Sequence, residues 1–217
     1  MKLLLLGATG LVGDRALRLA LSSNAFSEVI APTRKALTPS AKLLNPVVSR
    51  LEDWAQHLAT YQPDAVICAL GTTQAIAGSK EAFVHVDYEL PITFGKAAHA
   101  AGVATFAIVT FMGASADSRS FYSRTKGEVE RDIQKIGFRS LTICKPNFIG
   151  GKRNLARPAE GAVIGLLRLL APILPKKYHV NPADAIAAAL LDAVIAAKPG
   201  CRWIHSEEMS RDPSKVA

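Results

Sequence analysis

The sequence predicts an α/β protein built on a doubly wound parallel sheet, and three observations carry that prediction. Short apolar runs alternate with longer stretches of helical periodicity, the rhythm of strands followed by covering helices. The apolar runs are continuous rather than alternating with polar residues, as strands buried on both faces require. Near the start, four leucines lead straight into Gly7-Ala8-Thr9-Gly10-Leu11-Val12-Gly13, a glycine turn that opens a helix.

Taken in order, the expected strands are Leu3–Leu6, Glu28–Ala31, Leu43–Val48, Ala65–Ala69, Thr105–Thr110 and Ser140–Cys144. Helices are expected at Leu11–Ser22, Glu52–Tyr61, Lys80–Ala101 and Phe121–Ile136, with Gly102 and Gly137 stopping the last two. Beyond Pro146 the rhythm breaks. An apolar helix around Gly161–Leu170 ends near Pro172, and Asn181-Pro182-Ala183-Asp184 reads as an N-cap, a first-turn proline and an early acid opening a helix to Ala197. Cys201–His205 reads as a last edge strand. A single domain is expected over residues 1–217, with about 147–217 forming a small substrate lobe at the carboxyl edge of the sheet.

Composition limits the partners. Apolar residues make up 49% of the 217 and charged residues 20%, values suited to one compact domain. The net charge of +8 raises nucleic acid as a partner, but the basic residues come in ones and twos without interleaved aromatics, which argues against it. A basic balance suits an anionic dinucleotide instead. Cys68, Cys144 and Cys201 have no metal-ligand spacing, and two of them sit in apolar runs, so reduced thiols and a cytoplasmic location are expected. The leucine run before Gly7 is too short for a signal sequence, and the stretch Gly161–Leu174, with Arg168 and Pro172, is too short to span a bilayer.

The glycine turn is the strongest functional signal. Gly7 allows the tight turn, Gly10 close approach of a pyrophosphate, and Gly13 close packing of helix on strand, while Thr9, Leu11 and Val12 bring backbone to the phosphates. The helix start adds amide donors and a partial positive charge. This is a Rossmann-type dinucleotide site. After the second strand, Thr33-Arg34-Lys35 stands where an acid would bind the ribose 2′-hydroxyl of NAD, so hydroxyl and cationic donors for the 2′-phosphate of NADP(H) are expected. After the fourth strand, Ala69-Leu70-Gly71-Thr72 forms a small-residue turn suited to adenine and ribose.

Tyr122 and Lys126 lie four residues apart and share a helix face. An ammonium beside a phenol favours the phenolate, so Tyr122 is the candidate proton donor and acceptor. With the glycine turn, this pair makes the chain resemble the short-chain dehydrogenase/reductase superfamily. Cys68-Ala69-Leu70-Gly71-Thr72-Thr73, Gly113-Ala114-x-x-x-Ser118-x-x-Phe121-Tyr122-Ser123-Arg124-x-Lys126-Gly127-Glu128 and Lys145-Pro146-Asn147-x-x-x-Gly151 resemble an atypical NAD(P)H-binding subgroup, the TIP30-like proteins and their small bacterial relatives. The resemblance implies that Tyr122 is the catalytic acid/base, that Lys126 binds the nicotinamide ribose, and that Pro146, Asn147 and Phe148 pass beside the nicotinamide. It also implies a hydroxyl pair at the end of the fifth strand to hold the substrate carbonyl. Here that position reads Thr110-Phe111, so Thr110 is the candidate hydroxyl and Ser115 the fallback.

The expected function is therefore NADP-dependent hydride transfer to or from a small carbonyl or hydroxyl compound. The alternative is an NADP(H)-binding sensor with a protein partner or homodimer and little turnover. A nucleotide-sugar epimerase is disfavoured by the short C-terminal lobe. The five histidines are scattered, without metal-ligand pairing, and no Gly-x-Ser-x-Gly elbow accompanies the serines around Tyr122. Asp87 falls where related proteins carry a supporting Asn or Asp, and a solvated or capping acid explains it equally well.

Overall fold

The computed structural model describes residues 1–150 and 180–209. Seven parallel strands form one sheet in the order β3-β2-β1-β4-β5-β6-β9, with β1 Lys2–Leu6, β2 Glu28–Ile30, β3 Leu43–Leu44, β4 Ala65–Cys68, β5 Thr105–Val109, β6 Ser140–Lys145 and β9 Gly200–His205. A separate two-residue pairing joins β7 (Ile149–Gly150) to β8 (Asn181–Pro182).

Because side chains on a strand alternate between faces, the leucines of β1 divide between two cores. Leu3 and Leu5 pack with helix α1 (Leu11–Ser22) and with α7 (Ala183–Ala196). Leu4 and Leu6 face Trp54, Leu58 and Phe94 on the opposite side, with α5 (Leu90–Ala100) and α6 (Phe121–Gln134). All four leucines are completely buried, which is why the run reads as continuously apolar. The chain leaves β1 toward β2 and β3, then returns to place β4 on its other side. The gap beyond the ends of β1 and β4 is thus the switch point where such sheets bind ligands.

Several elements differ from the sequence expectation. The third strand stops at Leu44 because Asn45 turns its side chain onto Ala31 O and Thr33 Oγ1, and Pro46 has no N–H for a ladder. Beyond Leu44, a single bridge, Thr33 with Val47, remains of the expected strand. The helix expected over Lys80–Ala101 is divided into α4 (Lys80–Val84), a wide π-type turn over His85–Glu89, and α5. Pro91 explains it: its ring would meet the carbonyl of Asp87 four residues earlier, and the widened turn relieves that clash. Two short helices complete the cover, α2 (Leu58–Tyr61) after a 3-10 turn over Glu52–His57, and α3 (Gln74–Ala77), capped by Thr73.

At the C-terminal end, Asn181 does not cap α7; the cap position is Pro182, with no side-chain bond. Asn181 is instead fully buried. It accepts from Asn147 N (2.8 Å) and Ser206 Oγ (2.9 Å) and donates to Ser206 O (2.7 Å). This ties the segment after β6 to the turn after β9. Both α7 and β9 belong to the main layers: α7 lies against α1, and β9 pairs along β6 from Ser140↔Gly200 to Lys145↔His205. The apolar helix expected at Gly161–Leu170 lies outside the described residues. Among those described, no helix is long and apolar enough to cross a membrane.

Candidate active site

The glycine turn closes against β4. Gly7 has φ +84°, and a Cβ there would lie 2.6 Å from Ala69 O. At Gly13 a Cβ would lie 2.0 Å from Gly7 O, so helix and turn touch backbone to backbone. Gly10 N donates to Gly7 O at 2.9 Å, and Gly10, with no side-chain cap, precedes the first turn of α1. Leu11 and Val12 therefore present helix-start amides toward the switch point, with the Val12 side chain buried beneath and Thr9 exposed above. Such a cradle of backbone donors, closed to any side chain, fits a pyrophosphate.

A cavity of about 240 Å³ adjoins this turn, and Gly7, Thr9, Arg34, Leu70 and His85 line it. Lys35 does not. Thr33 is buried, and its hydroxyl donates to Lys35 O (2.6 Å) while accepting from Asn45 Nδ2, so its proton holds the loop and is not offered to a phosphate. Arg50 and Glu52 also line the cavity. Neither was anticipated, because the loop after a two-residue strand carries no recognisable motif.

The other half of the site is built on α6. Tyr122 stands in its first turn, edge-on to Phe111 (5.4 Å between ring centres) and tilted against Phe83. Lys126, one turn on, is buried, and its Nζ lies 2.6 Å from Asp87 Oδ1. The other Asp87 oxygen accepts from Thr72 N at 2.9 Å. A Cβ on Gly71 would be 3.5 Å from Asp87 and 3.6 Å from Lys126, so the turn after β4 that abuts Gly7 through Ala69 also abuts the lysine. Burial works against the Lys126 ammonium, but Asp87 and then Tyr122 outweigh it and hold its pKa above the ordinary value. Asp87 is thus a buried partner rather than a solvated acid. Its signal was the buried stripe Phe83, Asp87, Leu90, Phe94, where an acid sits at helical spacing among apolar residues.

Thr110 does not offer its hydroxyl to a substrate. It is buried, and Oγ1 donates to Glu130 Oε1 at 2.6 Å. Glu130 in turn pairs with Lys145 Nζ at 2.7 Å, beneath the loop that follows β5. The carboxylate sits on the inward face of α6, and as a better acceptor than Cys144 O it accepts the threonine's hydrogen bond. Ser115 is held by its backbone, its N–H donating to Ser123 O, on a loop that Gly127 admits to near contact with α6. Pro146 O accepts from Met112 N, Asn147 is tied to Asn181, and Phe148 is 45% exposed.

Residues 3–136 match the model of the NAD dependent epimerase/dehydratase family. The chain belongs to that family. The protein named fmp52, mitochondrial, from Aspergillus clavatus is 35% identical over 209 residues, covering 90% of this chain and 88% of the relative. Among solved structures, the Bordetella bronchiseptica enzyme WbmH in complex with NAD+ superposes with a TM-score of 0.71 at 15% identity, over 94% of this chain and 75% of that one. The oxidoreductase ylbE from Lactococcus lactis gives 0.66 at 17% identity, over 94% and 90%. These likenesses establish a Rossmann-type fold. The expected cytoplasmic location is overturned, because the Fmp52 relatives are named as mitochondrial proteins. Unpaired cysteines separate reducing from oxidising compartments and cannot separate one reducing compartment from another.

Proposed function

We propose that this family member is an NADP(H)-dependent oxidoreductase that interconverts a small carbonyl compound and its alcohol. The observation that carries the reading is Lys126, buried and paired with Asp87 one helical turn from Tyr122, at the edge where the glycine cradle opens. Backbone amides from Gly7 to Val12, with Thr9, would hold the pyrophosphate. Arg34 would bind the 2′-phosphate, Ala69 to Thr72 the adenosine side, and Pro146, Asn147 and Phe148 the nicotinamide side. Thr33 and Lys35 support the loop that presents Arg34. When bound, the nicotinamide supplies or accepts the hydride.

Tyr122 holds the proton that a substrate oxygen gains or loses. Lys126, kept charged by Asp87, stabilises the phenolate left when that proton departs. Thr72 N fixes Asp87, so the charge array is set before substrate arrives. Phe111 and Phe83 wall the phenol on two sides and favour a compact, weakly polar substrate.

One observation favours a second reading. With Thr110 committed to Glu130 and Phe111 beside it, neither residue of the expected hydroxyl pair is offered to a carbonyl. An NADP(H)-binding sensor acting through a protein partner, as the narrower likeness to TIP30-like proteins suggests, would need no such pair. A panel of small aldehydes and ketones with NADPH separates the two. For an oxidoreductase, Tyr122→Phe lowers kcat by at least about 10²-fold while the Kd for NADPH holds. Full activity in that variant refutes the assignment, and tight NADPH binding without turnover of any substrate selects the sensor.

A further inference from the structure

The cavity beside the glycine turn holds an acid where the sequence suggested none. Its walls bring Arg34 from the end of β2 together with Arg50 and Glu52 from the loop after β3. Glu52 is the one carboxylate among the described residues lining it. Arg50 closes on that acid: Nε donates to Glu52 Oε1 at 2.9 Å, and a second guanidinium nitrogen reaches the same oxygen at 2.9 Å. The two partners differ in freedom. The Glu52 side chain is 24% exposed and begins a helical turn, whereas Arg50 is 68% exposed and can swing. His85, 3.7 Å from the same Glu52 oxygen, also lines the cavity.

We infer that the Arg50–Glu52 pair sets the choice between NADP(H) and NAD(H), with Glu52 the acceptor for a ribose 2′-hydroxyl and Arg50 the cation that neutralises it and joins Arg34 on a 2′-phosphate. The inference rests on the reading that the adenosine ribose lies in this cavity. A bare carboxylate would repel a 2′-phosphate and accept from a 2′-hydroxyl. An arginine that can exchange the carboxylate for a phosphate removes the repulsion and adds a bidentate donor. The site therefore binds both dinucleotides, and the pair weights the balance between them.

The test is calorimetric titration of the full-length chain with NADPH, NADH, 2′,5′-ADP and ADP, for the native protein and for Arg50→Ala, Glu52→Gln, the double variant and Arg34→Ala. Glu52→Gln is expected to weaken NADH and tighten NADPH, moving their affinity ratio by roughly three- to tenfold at low salt and less at high salt. Arg50→Ala weakens NADPH and 2′,5′-ADP more than NADH and ADP, and adding Glu52→Gln recovers part of that loss. Equal weakening of 2′,5′-ADP and ADP by Arg50→Ala overturns the inference, as does a Glu52→Gln variant whose two affinities match the native ones. Failure of the NADP(H) reading looks different. Arg34→Ala then weakens both ADP probes equally, while Glu52→Gln still weakens NADH and upholds the carboxylate's role. Unchanged melting temperatures in the Arg50 and Glu52 variants would separate these effects from misfolding.

Discussion

The Asp87–Lys126 pair makes a stability prediction that can be worked from its geometry. Both side chains are almost wholly buried, at 0% and 6% exposure, with 2.6 Å between charged atoms. Asp87→Asn leaves an acceptor for Thr72 N but turns amide donors toward an ammonium that has lost its counter-charge. Removing one partner of such a buried pair costs about 3–5 kcal/mol. For a chain of this length that lowers the Tm by about 6–20 °C. The pH dependence distinguishes lost charge from lost packing. In the native chain the Lys126 pKa is raised, so its contribution is complete below the unfolded value of about 10.4 and is lost as pH climbs through the folded one. Without Asp87, burial dominates and pushes the lysine below its unfolded value. The variant then takes up a proton on unfolding, and its stability rises with pH across that window. In urea titrations from about pH 7 to pH 10 the lysine's contribution should stay constant in the native chain and rise in the variant. A loss under about 1 kcal/mol, or parallel pH profiles for the two proteins, would refute the charge argument. A double variant, Asp87→Asn with Lys126→Met, should recover part of the loss.

Two further outcomes follow from the packing. Gly13→Ala places a methyl 2.0 Å from Gly7 O, where only backbone can yield; it should cost about 1–3 kcal/mol and weaken NADPH binding at least tenfold by calorimetry, and native affinity would mean the cradle does not hold the phosphates. Burial pushes the Cys68 and Cys144 thiols up to about 12, whereas Cys201 is exposed on β9, so a thiol reagent should modify Cys201 alone in the folded protein and all three cysteines in denaturant. Rapid native-state labelling of Cys68 or Cys144 would contradict their burial.

The sheet was legible because each strand is buried on both faces, and continuous apolar runs leave little else for Leu3–Leu6 or Ala65–Cys68 to be. The glycine spacing was legible for a related reason: Gly7 and Gly13 have no room for a Cβ, Gly10 has little, and only one residue type meets that demand at all three. What escaped depended on partners distant in sequence. Thr110 looked available because Glu130, twenty residues on, reads as an ordinary helix-surface acid until α6 turns it inward toward Lys145. Asn181 looked like a cap because Asn-Pro before a helix usually is one, yet its partners are Asn147 and Ser206, reached only through the fold.

The same distinction bears on the site itself. Each acid that shapes it (Asp87 under Lys126, Glu130 under Thr110, Glu52 beside Arg50) is paired with a cation or a hydroxyl. In a chain with net charge +8, three paired carboxylates matter more than the total suggests. They are fixed negative counterweights near the place where an anionic dinucleotide would dock, and they decide which cations remain free to meet it. Arg34 has none of these acids as its partner, Arg50 shares one, and Lys126 is bound to one outright. On the proposed function, that gradient suits phosphate at the Arg34 end of the site and a held ammonium beside Tyr122 at the other.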